Sequence, residues 1–171
     1  PKTTHGEELK KLVEACHARD IQLLLYLGYE MSTIAPEWDA YHEQCLVHPR
    51  RGGYKRKYQP EPDQTAYVVC YRSVWQNFIA YHLEKLLEEY DIDGVYLDTT
   101  AYPSLCVNRL HGCGYHRPDG TLMGTHHIFA TRQTLKRIYA VVKTRKPDGL
   151  IDLHGHVLNM PALSWATSSW Q

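Results

Sequence analysis

The sequence predicts an α/β fold, part of a (β/α)8 TIM-type barrel with about four βα units and long loops after the strands. Two segments carry this prediction, residues 93–100 and 148–154. Each begins with Asp-Gly, continues with apolar residues, ends on polar ones and follows a helix-like segment. Because the loops entering these segments are short and those leaving them are long, functional groups should gather at the carboxyl ends of parallel strands. The pattern indicates an enzyme.

The first half of the chain contains one well-marked helix and one strand. Thr4 and Glu7 form a capping-box pattern, and four apolar residues between positions 9 and 16 then recur at helical spacing. Residues 21–27 form an almost unbroken apolar run, which is typical of a strand covered on both faces. Residues 28–72 contain several prolines and glycines, and we expect a long irregular loop there.

The second half of the chain alternates helices with strands. A helix is predicted from Ser73, with Gln76 completing a second capping box, and a strand follows at residues 95–98. Another helix, over residues 127–145, precedes the strand at residues 150–154. This alternation is typical of consecutive βα units.

The number of strands suggests a partial barrel. A last apolar run, residues 163–170, is interpreted as a further strand, and residues 99–126 as a second long loop. A closed barrel needs eight strands and typically about 250 residues, so we expect residues 1–171 to be a single domain excised from a longer chain. A complete open α/β sheet is the alternative. No Gly-rich phosphate loop follows a strand, which argues against nucleotide binding.

Composition excludes several classes of partner. The 171 residues carry 19 basic and 19 acidic side chains, so no excess of positive charge indicates a nucleic-acid partner. No apolar stretch reaches the ~18 residues that a membrane-spanning helix needs. Five cysteines cannot all pair with one another, and their spacing is not that of a small disulfide scaffold. The compartment therefore stays open, with a periplasmic or secreted parent protein among the alternatives.

Three carboxylates are candidate catalytic groups. Asp98 closes its strand on the same face as Tyr96, and a carboxylate there suits a nucleophile or an electrostatic stabiliser. Asp152 lies in the second Asp-Gly strand, and Glu30 follows the first strand, so either could be an acid or a sugar contact. The structural alternatives are a turn-capping Asp98, a hydrogen-bonded, partly buried Asp152 and a surface Glu30.

Aromatic and histidine side chains are candidates for substrate binding. Aromatic rings can stack on sugar rings, whereas each of these side chains could also serve in packing. The candidates are Tyr29, Trp38, Tyr96, Tyr102, His111, His154, His156 and Trp165. A basic patch at Arg50–Arg51 and residues 55–57 would suit an anionic sugar if it lined the cleft, although most such runs are solvated.

The loop after Asp98 contains a possible set of metal ligands. Cys106, His111, Cys113 and His116 provide four soft or borderline ligands within eleven residues, enough for a tetrahedral zinc site. Their spacing matches no common zinc-finger pattern, and the alternative is a packed loop with buried thiols and a substrate-facing His111. The sequence therefore predicts no cofactor, with zinc as the alternative.

Two segments resemble a known family. Residues 91–98, read as Asp-Ile-Asp-Gly-Val-Tyr-Leu-Asp, and the loop Cys106-x-Asn108-x₂-His111-Gly112-Cys113-Gly114-Tyr115 resemble a group of bacterial glycoside-hydrolase-like proteins. Residues 29–32 and 166–170 fit the same group, many of whose members are uncharacterised. The resemblance implies a (β/α)8 catalytic barrel, a carbohydrate substrate and flanking β-sandwich domains in the full-length chain.

The resemblance also implies a catalytic role for one residue. An Asp that ends the fourth strand is similar to the nucleophile of α-galactosidase-like and α-amylase-like barrels, which carries over to Asp98 only. Some β-N-acetylhexosaminidase barrels place an adjacent acidic pair there, but Thr99 follows Asp98 in this chain. The general acid is expected to be Asp152 or Glu30, or to lie beyond Gln171, in which case the fragment alone would be inactive.

Three functions therefore remain open from the sequence. The first is hydrolysis of O-glycosidic bonds in a poly- or oligosaccharide. The second is a zinc-assisted hydrolase or deacetylase that uses the Cys/His loop. The third is a carbohydrate-binding relative that has lost catalysis.

Overall fold

A computed structural model describes residues 5–56, 63–155 and 160–170. The helices are α1 (Gly6–His17), α2 (Trp38–Cys45), α3 (Trp75–Tyr90), α4 (Ile128–Arg145) and α5 (Met160–Leu163). The strands are β1 (Leu24–Leu27), β2 (Glu30–Ser32), β3 (Gly52–Arg56), β4 (Gln64–Val68), β5 (Gly94–Asp98), β6 (Leu105–Cys106), β7 (Tyr115–His116), β8 (Leu122–Met123), β9 (Thr125–His126), β10 (Leu150–His154) and β11 (Ser168–Trp170).

The central element is a parallel sheet of four strands in the order β1-β5-β10-β11. The order follows the chain without reversing, as in consecutive strands of a (β/α)8 barrel, whereas a doubly wound sheet reverses its order. The predicted parallel strands β5 and β10 are confirmed. The last predicted strand, over residues 163–170, is shorter than expected, since Leu163 ends α5, a turn follows and β11 spans only Ser168–Trp170.

One face of the parallel sheet packs against helices α1, α3 and α4. Val95 and Leu97 of β5 alternate with Tyr96 and Asp98, and only the first pair is fully buried in the main core. The same alternation holds in β10. In β1, however, Tyr26 is 55% exposed, so the prediction that this strand is covered on both faces is wrong. The face opposite the helices is therefore the one that displays polar groups.

The region predicted as one long irregular loop is folded. Strands β2, β4 and β3 form an antiparallel sheet, and α2 connects β2 with β3. These elements surround a second core that includes Met31, Leu46 and Tyr71. The loop after β5 also contains two short antiparallel ladders, β6 with β9 and β7 with β8. Turn-forming residues concealed these strands because each is only two to five residues long.

Of the two predicted capping boxes, the first depends on a residue outside the described ranges and the second is not formed. Thr4 lies outside the described residues, and His5 precedes α1 without a side-chain cap. At the start of α3, the Ser73 hydroxyl oxygen accepts a hydrogen bond from the Trp75 amide at 3.2 Å. Gln76 donates instead to the Tyr71 carbonyl, so the reciprocal bond of a capping box is missing. No helix in the described ranges is both long and apolar enough to cross a membrane.

The Asp-Gly pair that opens β5 fixes the position of three strands. A Cβ atom on Gly94, whose φ is +155°, would lie 1.9 Å from the Leu150 carbonyl oxygen of β10. The Asp93 carboxylate accepts hydrogen bonds from the Leu23 amide at 2.7 Å and from His17 at 2.9 Å. Burial raises the pKa of Asp93, but these donors outweigh it and hold the pKa below its ordinary value.

We expect Gly94→Ala to lower the free energy of unfolding by about 3 kcal/mol, because the new methyl group collides with backbone rather than with a movable side chain. Urea unfolding measures the change. Gly155→Ala is the matched control, since a Cβ there meets no atom of the described residues within 4 Å. Equal effects of the two substitutions would contradict a steric requirement at Gly94.

Asp93 should make the protein acid-sensitive. The pKa of Asp93 is lower in the folded state than in the unfolded state. At a pH between these two pKa values, the folded state therefore binds fewer protons than the unfolded state. The contribution is present above the unfolded pKa and disappears as the pH falls through the folded pKa. Asp93→Asn should therefore flatten the dependence of urea-unfolding stability on acid pH. The exposed Asp39→Asn controls for the loss of one carboxyl group, and an unchanged slope in Asp93→Asn would contradict the prediction.

Candidate functional site

Asp98 lies at the carboxyl end of β5, where three side chains bind its carboxylate. The Tyr26 hydroxyl donates to Oδ2 at 2.7 Å, and the Thr99 hydroxyl donates to Oδ1 at 2.9 Å. His154 Nδ1 lies 3.1 Å from the same Oδ1. These groups come from three consecutive parts of the sheet, β1, the end of β5 and β10. Together they fix the orientation of the carboxylate.

Tyr96 extends this group along the sheet face. Its hydroxyl lies 2.6 Å from His154 Nδ1, its ring is stacked on the imidazole, and its centroid is 5.7 Å from that of Tyr26. His154 Nδ1 therefore faces both the Tyr96 hydroxyl and the Asp98 carboxylate. The sequence prediction that Tyr96 and Asp98 share a face is met.

Asp152 lies on the same face of the sheet, two residues before the position on β10 that pairs with Asp98. The register pairs His154 with Asp98 and Asp152 with Tyr96. The Ser168 hydroxyl of β11 donates to Asp152 Oδ1 at 2.7 Å. From strand spacing alone, the Cα atoms of Asp98 and Asp152 are separated by about 8 Å. Asp152 is therefore near Asp98 but deeper along the sheet.

The residue after Asp98 has an unusual backbone conformation. Thr99 has φ +55°, in the left-handed region that a β-branched residue rarely adopts. Its amide donates to the His154 carbonyl at 2.8 Å, so the bond that maintains this conformation also joins the ends of β5 and β10. Strained backbone next to a carboxylate at a strand end is a feature of functional sites.

A cleft of about 500 Å³ is lined in part by Thr99, the residue that follows Asp98. It lies between the loop after β5 and the antiparallel sheet, and its lining residues are Tyr29, Arg51, Gly52, Val68, Thr99, Tyr102 and Ser104. Tyr29 and Tyr102 were expected at a substrate site on sequence grounds. Tyr102 is 48% exposed, so its ring is accessible to a ligand. Arg51, a member of the basic patch identified in the sequence, places a positive charge in the lining of the cleft.

Other predicted site residues lie elsewhere. Glu30 lines a second pocket, of about 200 Å³, together with Trp75 and His82. Trp38 is stacked on His42 and packs in the second core. Trp165 packs edge-on against Tyr139, with the cationic groups of Arg132 and Lys136 over its ring. His156 lies outside the described residues.

The thiols and imidazoles form a cluster that differs from the predicted one. Cys106, His111 and Cys113 meet as expected, but the fourth member is Cys70 rather than His116. His116 instead lies on the exposed β7–β8 hairpin, where it hydrogen-bonds to the Gly120 carbonyl and to Arg109. The cluster, called the Cys70 cluster below, therefore differs from the predicted one at one position, because Cys70 is distant in sequence and close in space.

Electrostatics within the cluster distinguish its members. A hydrogen bond between the Cys70 and Cys106 side chains raises the pKa of Cys70 and lowers that of Cys106. Hydrogen bonds from the backbone amides of His48 and Asn108 also lower the pKa of Cys106, which is about 5. Burial raises the pKa of Cys113 and lowers that of His111. His127 also borders the cluster, with Nε2 3.3 Å from Cys70 Sγ, and burial lowers its pKa to about 4. The buried imidazoles are therefore neutral at neutral pH.

Comparison with known proteins identifies the fold but no family. No protein-family model and no curated protein matches the sequence. The α-L-fucosidase isoenzyme 2 of Paenibacillus thiaminolyticus superposes over 93% of this chain and 24% of its own, with TM-score 0.62 and 13% identity. The α-galactosidase AgaA of Geobacillus stearothermophilus superposes over 95% and 21%, with TM-score 0.59 and 15% identity.

The fold is glycosidase-like. A cycloisomaltooligosaccharide glucanotransferase of a Paenibacillus species is also similar, at TM-score 0.56 and 10% identity, over 87% of this chain and 20% of its own. At these identities the likeness concerns the fold alone. The chain spans between a fifth and a quarter of the length of these proteins.

Sequence reasoning missed three residues of these sites. Tyr26 was assigned to a strand covered on both faces, although its hydroxyl, near the end of an otherwise almost entirely apolar strand, could have revealed it. Cys70 and His127 have no local signal, because each joins the cluster from a separate element.

Proposed function

We propose that this protein hydrolyses O-glycosidic bonds in a poly- or oligosaccharide, with Asp98 as the nucleophile or stabilising carboxylate. The observation that carries the proposal is the position of Asp98. It is held by three side chains at the carboxyl end of a parallel strand in a glycosidase-like fold, and one of the three, Thr99, lines an open cleft.

Asp98 has the surroundings that this chemistry needs. Glycoside hydrolysis passes through an oxocarbenium-like transition state, which a fixed carboxylate stabilises by its charge or attacks as a nucleophile. Tyr26, Thr99 and His154 each occupy a site on the two carboxylate oxygens, so the group need not reorient during the reaction. Tyr29 and Tyr102 in the adjacent cleft would supply flat surfaces for sugar rings.

Asp152 is the better placed of the two further carboxylates. It shares the sheet face with Asp98, whereas Glu30 lines a separate pocket. Retaining enzymes hold the two carboxyl groups about 5–5.5 Å apart and inverting enzymes about 6.5–9.5 Å apart. Asp152 would serve as the general acid or as a contact to a sugar hydroxyl.

A zinc-assisted hydrolase is not our proposal. Catalytic zinc has three protein ligands and keeps an open position for water. The Cys70 cluster, which consists of Cys70, Cys106, His111 and Cys113, offers four ligand atoms within 4.8 Å of one another. Four protein ligands would leave no open position for water.

The lining of the cleft suggests an anionic substrate. Arg51 is exposed and lines the cleft, whereas its neighbour Arg50 forms an ion pair with Glu43 and lies over the Tyr67 ring. A guanidinium binds carboxylate or sulfate oxygens with two parallel hydrogen bonds. A uronic or sulfated sugar would therefore fit this wall of the cleft.

Asp98→Asn should reduce kcat/KM for glycoside hydrolysis by about 10³-fold or more, because the amide can neither attack the anomeric carbon nor neutralise its charge. The intact protein is assayed on a panel of α- and β-linked poly- and oligosaccharides. Asp39→Asn, on the exposed face of α2, is the matched control and should retain full activity. Activity that survives Asp98→Asn would move the catalytic centre elsewhere.

The substitution Asp98→Ala distinguishes between the two possible roles of Asp98, a nucleophile and a stabilising carboxylate. If Asp98 is the nucleophile, azide should restore turnover of an activated glycoside by Asp98→Ala and should produce a glycosyl azide. A stabilising carboxylate predicts no such product. Binding of sugar without turnover, unaffected by Asp98→Asn, would favour a non-catalytic carbohydrate-binding protein.

Arg51→Gln should raise KM for a uronic or sulfated substrate by about 10–100-fold, the effect of losing a charge-assisted hydrogen bond. The matched control is Arg50→Gln, which changes the adjacent arginine outside the cleft lining. Michaelis kinetics on charged and neutral substrates measure the effect. An equal loss on neutral sugars would show that Arg51 does not recognise a negative charge.

A further inference from the structure

The Cys70 cluster has the dimensions of a tetrahedral zinc site. Zinc–sulfur bonds of about 2.3 Å and zinc–nitrogen bonds of about 2.0–2.1 Å place tetrahedral ligands about 3.8 Å apart for two sulfurs and about 3.5 Å for sulfur and nitrogen. Here Cys70 Sγ lies 3.7 Å from Cys113 Sγ, and His111 Nδ1 lies 3.4 and 3.2 Å from those two sulfurs. All four ligand atoms, including Cys106 Sγ, lie within 4.8 Å of one another.

The backbone around Cys106 supports the same interpretation. The amides of His48 and Asn108 point at Cys106 Sγ, at 3.4 and 3.3 Å. Two amide donors on one sulfur suit a thiolate, which is the form of cysteine that ligates metal. An ordinary buried thiol would not need them.

The chain is folded tightly around the other ligands. Gly112 and Gly114 have φ of +70° and +82°, which turn the backbone on both sides of Cys113. A Cβ on Gly114 would lie 3.1 Å from the Met123 carbonyl oxygen. The three cysteines of the cluster are at most 2% exposed, and His111 is partly buried.

We propose that Cys70, Cys106, His111 and Cys113 bind one zinc ion in a structural site. Three thiolates and one imidazole in a tetrahedral arrangement favour zinc among the common divalent ions. Four protein ligands complete the coordination shell, so the ion would stabilise the fold rather than activate water. His127 would lie outside the shell and donate its N–H to the Cys70 sulfur.

The proposed zinc ion would also lie close to the walls of the cleft. Cys70 follows Val68 by two residues, and Cys106 follows Ser104 by two, and both Val68 and Ser104 line the cleft. The ion would therefore join the two walls of the cleft, the antiparallel sheet and the loop after β5. This inference is independent of the proposed glycosidase activity, because it concerns metal content and stability.

The first test measures metal in the intact protein. Elemental analysis by plasma mass spectrometry should find one zinc per chain, and Cys70→Ser and Cys113→Ser should lose it. Cys16→Ser is the matched control, since Cys16 is a half-buried thiol of α1 outside the cluster. His116→Ala should also retain zinc, because His116 lies on the exposed hairpin.

Cobalt substitution tests the ligand set. Co²⁺ in place of zinc should show the intense visible bands of a tetrahedral site and the ultraviolet charge-transfer band of thiolate ligands. His127→Ala should keep these bands and His111→Ala should change them. The reverse result would overturn the proposed set.

A measurement on the unmodified protein avoids variants that fail to fold. A chelator that removes zinc should lower Tm by roughly 10 °C, and added zinc should restore it. Metal-free protein with an unchanged Tm would overturn the proposal. A disulfide between Cys70 and Cys113 in the purified protein, detected by peptide mass spectrometry, would overturn it as well.

Discussion

The parallel register of β5 against β1 and β10 determines where the polar groups of this protein lie. Pairing Tyr26 with Tyr96 and His154 with Asp98 places all four side chains on one sheet face. A shift of one residue would exchange this face with the apolar one that packs on the helices. The contact of Gly94 with Leu150 maintains the register, since no larger residue fits between the two backbones.

A second layer of structure is built on the long connections that leave the sheet. The β2-β4-β3 sheet packs on its own core, and the loop after β5 contacts it through the Cys70 cluster. The cleft lies between these two units, with Thr99 connecting it to Asp98. The parallel sheet thus orients the carboxylate, while the connections define what can reach it.

The two sites place opposite demands on their surroundings. Asp98 and His154 are partly exposed, with 25% and 26% of their side-chain surface accessible. In the Cys70 cluster the three cysteines are at most 2% exposed, and two backbone amides point at Cys106 Sγ. Burial therefore distinguishes the proposed site of turnover from the proposed structural metal site.

The sequence by itself determined the parallel strands β5 and β10, the helices α3 and α4, and the carboxylate Asp98, because those signals are local. Period-two and period-3.6 patterns act over a few residues, and strand-end polarity can be seen directly. Only the tertiary structure decided that Cys70 replaces His116, that Tyr26 binds Asp98, and that residues 28–72 contain a sheet. These depend on contacts between residues as many as 72 positions apart, which no local pattern specifies.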